Sequence, residues 1–416
     1  MTTIRNSPSG KAIFVAPLLN SPAHYDWHID PATGDDNAAG TVAAPLQTLS
    51  EFSKRMYGAL IDAPVLATLH SDTIADDRLI LTVYQKGNNT VQLNGIVTEV
   101  ASFTIVTVTK VPPVNTICWD FETSGIDWTT QTARRIQLPT GEIGWVLYAI
   151  DANNVRVGPF ASLSNLNNTV TPVPGTAALQ SIPSTSPPEI NAGPAAVGRH
   201  AIVNAEPSVI LRHLAMDADI NVNFRSAGSV VWFGCSLSSA GGYLDAGNLQ
   251  WNSCMIECNP FTPGSLGFFN IEGSGRLQVT GGLVTTTNTS GGQCGISTSF
   301  MNVVVRNTAW LRTVMSLNRG SLWSSTNQYV EGQYIGAAIS MGGGSTFLDA
   351  VNSRLEGTLN GATFAIDLVN GDGSRFLYTN LPAITGAATN DTRIDNTQFA
   401  YAALPQTLNG ASIQSQ

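Results

Sequence analysis

An all-β chain, most of it a right-handed parallel β-helix, is what this sequence predicts, and three observations carry the prediction. The first is a repeat. From residue 200 onward a block of apolar-x-apolar residues, three small or polar residues and a further apolar pair recurs, beginning at Val209, Val231, Leu249, Leu277, Val303, Leu322, Leu348 and Thr392, with a looser copy near Phe376. The mean period is about 23 residues, in the range of one solenoid coil. Second, the blocks alternate by two and break at Gly, Asn and Ser, which is strand-and-bend chemistry rather than the three-and-four spacing of an α-solenoid. Third, 12% of residues are charged, 43% are hydrophobic and 39 are Gly, a mix poor in surface-helix residues. A β-sandwich is the alternative, but it would not require copies in equal register.

Each element follows in chain order. Residues 1–27 hold Pro17, Pro22 and mixed polar residues without periodicity, and read as an extended N-terminal arm. Residues 28–97 hold an entry strand, a helix and the first coils. Thr48 followed by Glu51 is a capping box, and Leu49, Phe52 and Met56 then share one helical face. Residues 98–187 change texture to long alternating runs, Phe103 to Val108 and Ile143 to Ile150, ending in a Pro/Ser/Thr-rich stretch. They predict a small β module inserted early in the helix, carrying Trp119, Trp128 and Trp145 and followed by a polar linker. Coils fill 188–404, and a polar tail occupies 405–416. Asn307, Asn327, Asn352 and Asn396 fall at bends, where Asn tolerates the left-handed conformation.

Charge and cysteine content narrow the partners. The formal net charge is −9 with no Lys/Arg run, which disfavours nucleic acid and anionic membranes and leaves carbohydrate or protein. No apolar run reaches the roughly 18 residues of a membrane span, and the start lacks a signal-peptide pattern, so cytoplasmic synthesis without a signal peptide is expected. Five cysteines, an odd number, argue against a disulfide framework. Cys254 and Cys258, with Cys235 and Cys294 nearby, read as buried thiols, and neither metal nor cofactor is expected. Asp30, Asp35 and Asp36 are read as turn residues ahead of the helix rather than calcium ligands.

Two sets of residues are candidates for function. If the first and third residues of a block point inward, the second points out. Trp232 and Trp323 then face outward with Gln250, Gln278, Asp349 and Arg393, a surface suited to stacking on sugars, to a subunit interface, or to burial under loops. Outward apolar residues such as Ile210 and Val304 add to the case for an interface. The second set is acidic. Asp217, Glu257 and Glu356 fall eight residues after their block starts, and Glu331 nine after its own. Asp217 and Glu257, two coils apart, would stand about 10 Å apart, and Glu331 and Glu356, on adjacent coils, about 5 Å. Those separations match the carboxylate pairs of inverting and retaining glycosidases, although solvated surface carboxylates are the commoner case.

The segment Ile29-Asp30, Gly34-Asp35-Asp36 and Pro45-Leu46-Gln47-Thr48-Leu49 resembles the opening of pectate-lyase-like β-helices, phage tailspikes among them. In those proteins an "I-D-x-x-x-G-D-D" strand and loop precede a "P-x-x-T-L" helix that caps the open end of the coils. The "R-I-Q-L-x-x-G-x-x-x-W-V" run from Arg135 to Val146 is similar to modules of phage and bacterial β-helix proteins. The resemblance implies a homotrimeric virion appendage that recognises host surface polysaccharide and joins other virion proteins through its N-terminal arm. It also implies two alternatives, a polysaccharide depolymerase on the same coils and a non-catalytic capsid or tail decoration protein. Pectate lyases use calcium-binding Asp clusters and an Arg base; Asp217, Asp219 and Arg225 are the nearest approach here, which puts lyase activity in doubt.

Overall fold

The computed structural model describes residues 4–6, 12–14, 22–23, 25–70, 73–74, 80–85, 89–110, 117–162, 165–182, 184–185, 202–205, 208–218, 222–239, 242–258, 267–272, 276–286, 294–299, 302–318, 321–331, 337–342, 346–351, 354–356, 364–370, 375–378, 390–394, 397–399, 407–408 and 411–415. Most of the expected arm, with His24, Asp219, Asn352 and Asn396, lies outside the described residues.

Short parallel strands stack coil on coil and form three faces. The first face runs through Asp26–Ile29, Val65–Leu69, Thr90–Gly95 and Ser208–Arg212. It continues through the ends of Val222–Phe233 and Gly242–Asn252, then Arg276–Thr280 and the start of Asn302–Leu311. The second face stacks Ala215–Ala218, Ser236–Ser239, Met255–Cys258, Leu283–Thr285, the ends of Asn302–Leu311 and Leu322–Glu331, and Arg354–Glu356. The third includes Gly267–Glu272, Cys294–Ser299, Val314–Asn318, Ala337–Gly342, Phe364–Asn370 and Asn390–Ile394. Ala411–Ser415 pairs in parallel with Arg375–Tyr378, so the segment expected as a polar tail adds a strand to the first face.

The coil interior is a column of apolar side chains in register. Trp27, Ala67, Leu93, Leu211, Trp232, Trp251, Val279 and Val305 follow one another along the first face, all nearly devoid of exposed surface. Burial at this density is the main stabilising term of a solenoid, because each coil covers only its neighbours. Where the first face turns into the second, the same left-handed residue recurs: His213, Gly234, Ser253, Gly281 and Asn307 have φ of 55°, 58°, 50°, 68° and 51°. The bends also bond to one another, Gly234 N–H donating to the Asn252 carbonyl and Gly281 N–H to that of Arg306. Asn307 thus takes the left-handed bend that its residue type predicts.

The capping helix is Leu49–Met56, and it buries Leu49, Phe52 and Met56. Phe52 meets Trp27 edge-on with centroids 5.6 Å apart, closing the core at this end. Half of the expected capping box forms: Thr48 Oγ1 accepts from Glu51 N–H at 3.0 Å. Glu51 itself turns to Lys54 and Arg55, and Asp36 replaces it by accepting from Thr48 N–H at 2.8 Å. The acidic loop is built as turns. Asp30 accepts from Ala32 N–H and Asp35 from Asn37 N–H, and the Thr33 hydroxyl, against some desolvation, holds Asp30 below the ordinary carboxylate range.

Between the first and second faces of one coil the chain leaves for the inserted module. Thr98–Lys110, Trp119–Ser124, Arg135–Gln137, Ile143–Ala149, Asn154–Ser162 and Gly175–Ser181 pair antiparallel. Trp119–Ser124 also pairs with Asn154–Ser162, which closes the sheet into a six-stranded barrel with Asn165–Thr169 as an added strand. Closure removes the free edges that an inserted sheet would otherwise expose. Phe103, Phe121, Trp128, Ile136, Val155, Val157, Phe160 and Leu179 fill it.

Candidate functional site

The outward side of the first face is where the sequence places glycan contacts, and the register decides what stands there. Gln250 pairs with Gln278, and their row runs from Gln92 through Ile210 and Val231 to Val304, all half-buried. On one side of it Asn248, Arg276 and Asn302 form an exposed row. On the other lies the row Asn94, Arg212, Phe233, Asn252, Thr280 and Arg306, in which Asn252 and Thr280 are buried and the rest half-buried. Arg212 stacks its guanidinium on Phe233 at 4.6 Å, leaving the edges of its planar fork to donate elsewhere.

Trp232 and Trp323 are not on this surface. Both have no exposed area, and each points into the core. Trp232 pairs with Trp251, ring centroids 5.8 Å apart, and Trp323 pairs with Val303 while its indole N–H donates to Thr298 Oγ1 at 2.8 Å. The cause is a register slip of one residue. Leu249 pairs with Val230 rather than Val231, and Val303 with Trp323 rather than Leu322. Because side chains alternate along a strand, one residue of slip turns every side chain to the other face. The outward aromatic of this coil is Phe233, next to the one the sequence pointed to.

The same correction moves two further candidates. Asp349 pairs with Ser325, which pairs with Val305, so it shares the register of Trp251 and not that of Gln250. Arg393 pairs with Asp367 and belongs to the third face. The side chains of Asp349 and Arg393 lie outside the described residues.

All four candidate acids fall into a single column of the second face. Asp217 pairs with Ser238, Ser238 with Glu257, Glu257 with Thr285, Thr285 with Leu311, Leu311 with Glu331, and Glu331 with Glu356. Glu331 and Glu356 are direct backbone partners, about 4.8 Å apart from coil to coil. Glu257 is engaged otherwise. Its carboxylate holds Arg134 Nη1 at 2.9 Å, and that guanidinium also donates to the carbonyls of Val146 and Leu147. Asp217 and Glu257 thus stand two coils apart, as expected, but the Glu257 carboxylate is taken by Arg134 and ties the barrel to the β-helix.

Around that ion pair the barrel docks on the second face. Ile117, Cys118, Trp145 and Leu147 pack on Met255, Leu283, Ala309 and Leu311, and Trp145 N–H donates to the Ser253 carbonyl at 2.9 Å. Arg135 is buried beneath the barrel, and desolvation pushes it down to about 10 despite the nearby Cys235 and Cys254 thiols. His213, at the bend, is pushed down to about 4 by burial and then by Arg135 and Arg212. Cys118, Cys235, Cys254 and Cys258 are buried and form no disulfide, and the side chain of Cys294 lies outside the described residues. The docking surface is the feature sequence reasoning missed. Its one signal is the apolar outward row Met255, Leu283 and Ala309, which is legible once the register is known.

No protein-family model matches the chain, and no curated protein matches it. Among solved structures, a lacto-N-biosidase from Eubacterium ramulus aligns at 10% identity over 89% of this chain and 68% of its own, with a TM-score of 0.32. The XylC complex with xylose aligns at 9% identity over 88% and 70%, with a TM-score of 0.31. The tailspike protein gp49 from Pseudomonas phage LKA1 aligns at 9% identity over 88% and 77%, with a TM-score of 0.23. No helix among the described residues is long and apolar enough to cross a membrane.

Proposed function

We propose that this chain is a polysaccharide-recognising appendage of a phage virion, and that the outward first face is its binding surface. The observation that carries the reading is the Gln250–Gln278 pair set between the Asn248, Arg276, Asn302 row and the Arg212–Phe233 stack. Carboxamides and guanidiniums present several donors each to sugar hydroxyls, and an aromatic ring offers a face for a pyranose to stack on. A straight coil stack repeats these groups about every 4.8 Å, which suits an extended chain better than a small molecule. Virion attachment through residues 1–27 and assembly as a homotrimer rest on the resemblance of the Ile29 to Leu49 segment to tailspike openings. The test is binding of labelled protein to capsulated host cells and to the same cells stripped of capsule. Phe233→Ala and Gln278→Ala should each weaken binding about tenfold in protein that remains folded, and equal binding to stripped cells would sink the reading.

One observation favours a second reading, a glycoside-hydrolysing depolymerase. Glu331 and Glu356 are register partners on neighbouring coils, and the coil spacing is close to the roughly 5 Å between the carboxyls of retaining enzymes. In that reading one carboxyl protonates the leaving oxygen and the other attacks the sugar. Release of reducing ends from host capsule, lost in both Glu331→Gln and Glu356→Gln, would establish it. Binding without release leaves a non-catalytic appendage or decoration.

A further inference from the structure

We infer that the junction between the barrel and the coils holds a small monovalent anion, a halide or an ion of similar size, on the guanidinium of Arg135. Arg135 begins the Arg135 to Val146 run, and the docked barrel leaves only 3% of it exposed. Its Nε and Nη1 are buried and meet no hydrogen-bond acceptor among the described residues. A buried charge that lacks both a counter-charge and acceptors is heavily penalised, so such a site calls for a partner. The adjacent residue shows the contrast, because Arg134 has the Glu257 carboxylate and two carbonyls.

Among the described residues no side chain takes that role. Gln180, opposite Arg135 in the barrel sheet, donates its amide to Gln137 at 2.6 Å, and its own Oε1 accepts from no partner. The Cys235 and Cys254 thiols are the groups whose charge would favour Arg135. Against burial, the Cys254 thiol, backbone groups and Arg135 draw Cys235 down, whereas burial pushes Cys254 well up. Both sulfurs have carbonyls that hold their protons. Cys235 Sγ donates to Leu211 and Phe233 at 3.4 and 3.5 Å, and Cys254 Sγ donates to Asn252 at 3.3 Å. A thiol that donates is neutral, so the guanidinium is left without a counter-charge.

The bends supply the place. Gly234, at φ of 58°, has no side chain where a Cβ would stand 3.0 Å from His213 Nδ1 and 3.6 Å from Arg135 Nη2. One nitrogen from the coils and one from the barrel thus border a single notch, and His213 Nδ1 is itself buried without a partner among the described residues. Ser253, at the same bend one coil on, adds a buried hydroxyl in the same condition. Burial, and then Arg135 and Arg212, bring His213 to about 4, which makes it a neutral imidazole whose Nδ1 donates in one of its tautomers. One guanidinium beside neutral donors matches one negative charge. A doubly charged oxyanion would bring a second buried charge that Arg135 does not offset.

The experiment uses the full chain. Its Tm is measured at neutral pH in sodium chloride titrated against sodium gluconate at constant ionic strength, and crystals soaked in sodium bromide are examined by anomalous scattering. Chloride should raise Tm by a few degrees over gluconate, because an ion bound only by the folded state stabilises it by mass action. A bromide peak should lie within hydrogen-bond reach of Arg135, and Arg135→Gln should abolish both effects. If that variant fails to fold, the bromide peak and the salt comparison in the unaltered protein still decide the matter. Equal Tm in the two salts, or ordered water in place of bromide at Arg135, would overturn the inference and leave a hydrated guanidinium. So would a thiolate ultraviolet absorbance at neutral pH that Cys235→Ser removes, since Cys235 would then be the counter-charge.

Discussion

Arg134 of the inserted barrel and Glu257 of the β-helix, 123 positions apart in sequence, meet at 2.9 Å and join two independently cored units. Burial pushes Arg134 down from its ordinary value, and Glu257 opposes that shift. Glu257→Gln leaves a largely buried guanidinium with a weaker partner. We expect a loss of about 2 kcal/mol, read as a lower Tm. Faster amide exchange should concentrate at the barrel contact around Trp145 and Leu147. Activity against capsule, if present, should change no more than the fraction folded.

Trp232 and Phe233 are neighbours with opposite fates, which makes a paired test of the register. Trp232→Ala removes a fully buried indole stacked on Trp251 and should cost about 3–5 kcal/mol in thermal or denaturant unfolding. Phe233→Ala should cost under about 2 kcal/mol and act on ligand binding. The reverse ordering would restore the outward tryptophan.

His213 sets a pH dependence. In the unfolded chain it titrates near 6.5, and in the fold burial brings it to about 4. Between those values the unfolded state binds the extra proton, so stability is complete above about pH 6.5 and falls as pH drops toward 4. The loss should be on the order of 2 kcal/mol. His213→Asn keeps a residue that tolerates φ of 55° and should flatten the profile across that window. An unchanged slope in urea titrations at several pH values would show that another group is responsible.

Gly281 and Gly58 separate backbone strain from crowding. Both have left-handed φ, at 68° and 71°. A Cβ on Gly58 meets nothing within 4 Å, whereas one on Gly281 comes within 2.9 Å of Ala161 Cβ in the barrel. Gly58→Ala should cost about 1–2 kcal/mol. Gly281→Ala should cost more than Gly58→Ala and also loosen the barrel, with amide exchange rising in Asn154–Ser162. Equal costs would mean that the barrel wall yields freely.

Much of this molecule was legible where the chemistry is local. The Thr48 cap, the Asp30 and Asp35 turns and the left-handed Asn307 bend each involve residues a few positions apart, and the structure contains all three. The repeat, the capped coil and an inserted β module were readable from period and texture. So was the common column of Asp217, Glu257, Glu331 and Glu356, since an offset counted within a block survives a small error in where the block begins. Facing direction does not survive it. Whether Trp232 or Phe233 looks outward depends on whether Val230 or Val231 pairs with Leu249, and an apolar run such as Val230-Val231-Trp232-Phe233 satisfies either pairing locally.

By itself the sequence determined that the chain stacks short parallel strands, caps them with a helix and interrupts them with a second β unit. Strand alternation, bend residues and capping residues act over a few positions and need no partner. Tertiary structure alone decided the register and the seat of the barrel. Strand pairing reaches about 23 residues along the chain, and the contact of Arg134 with Glu257 reaches 123. At those distances the outcome is chosen by which packing buries Trp232, Trp251 and Trp323 together, a property of the assembled core that no short stretch of sequence contains.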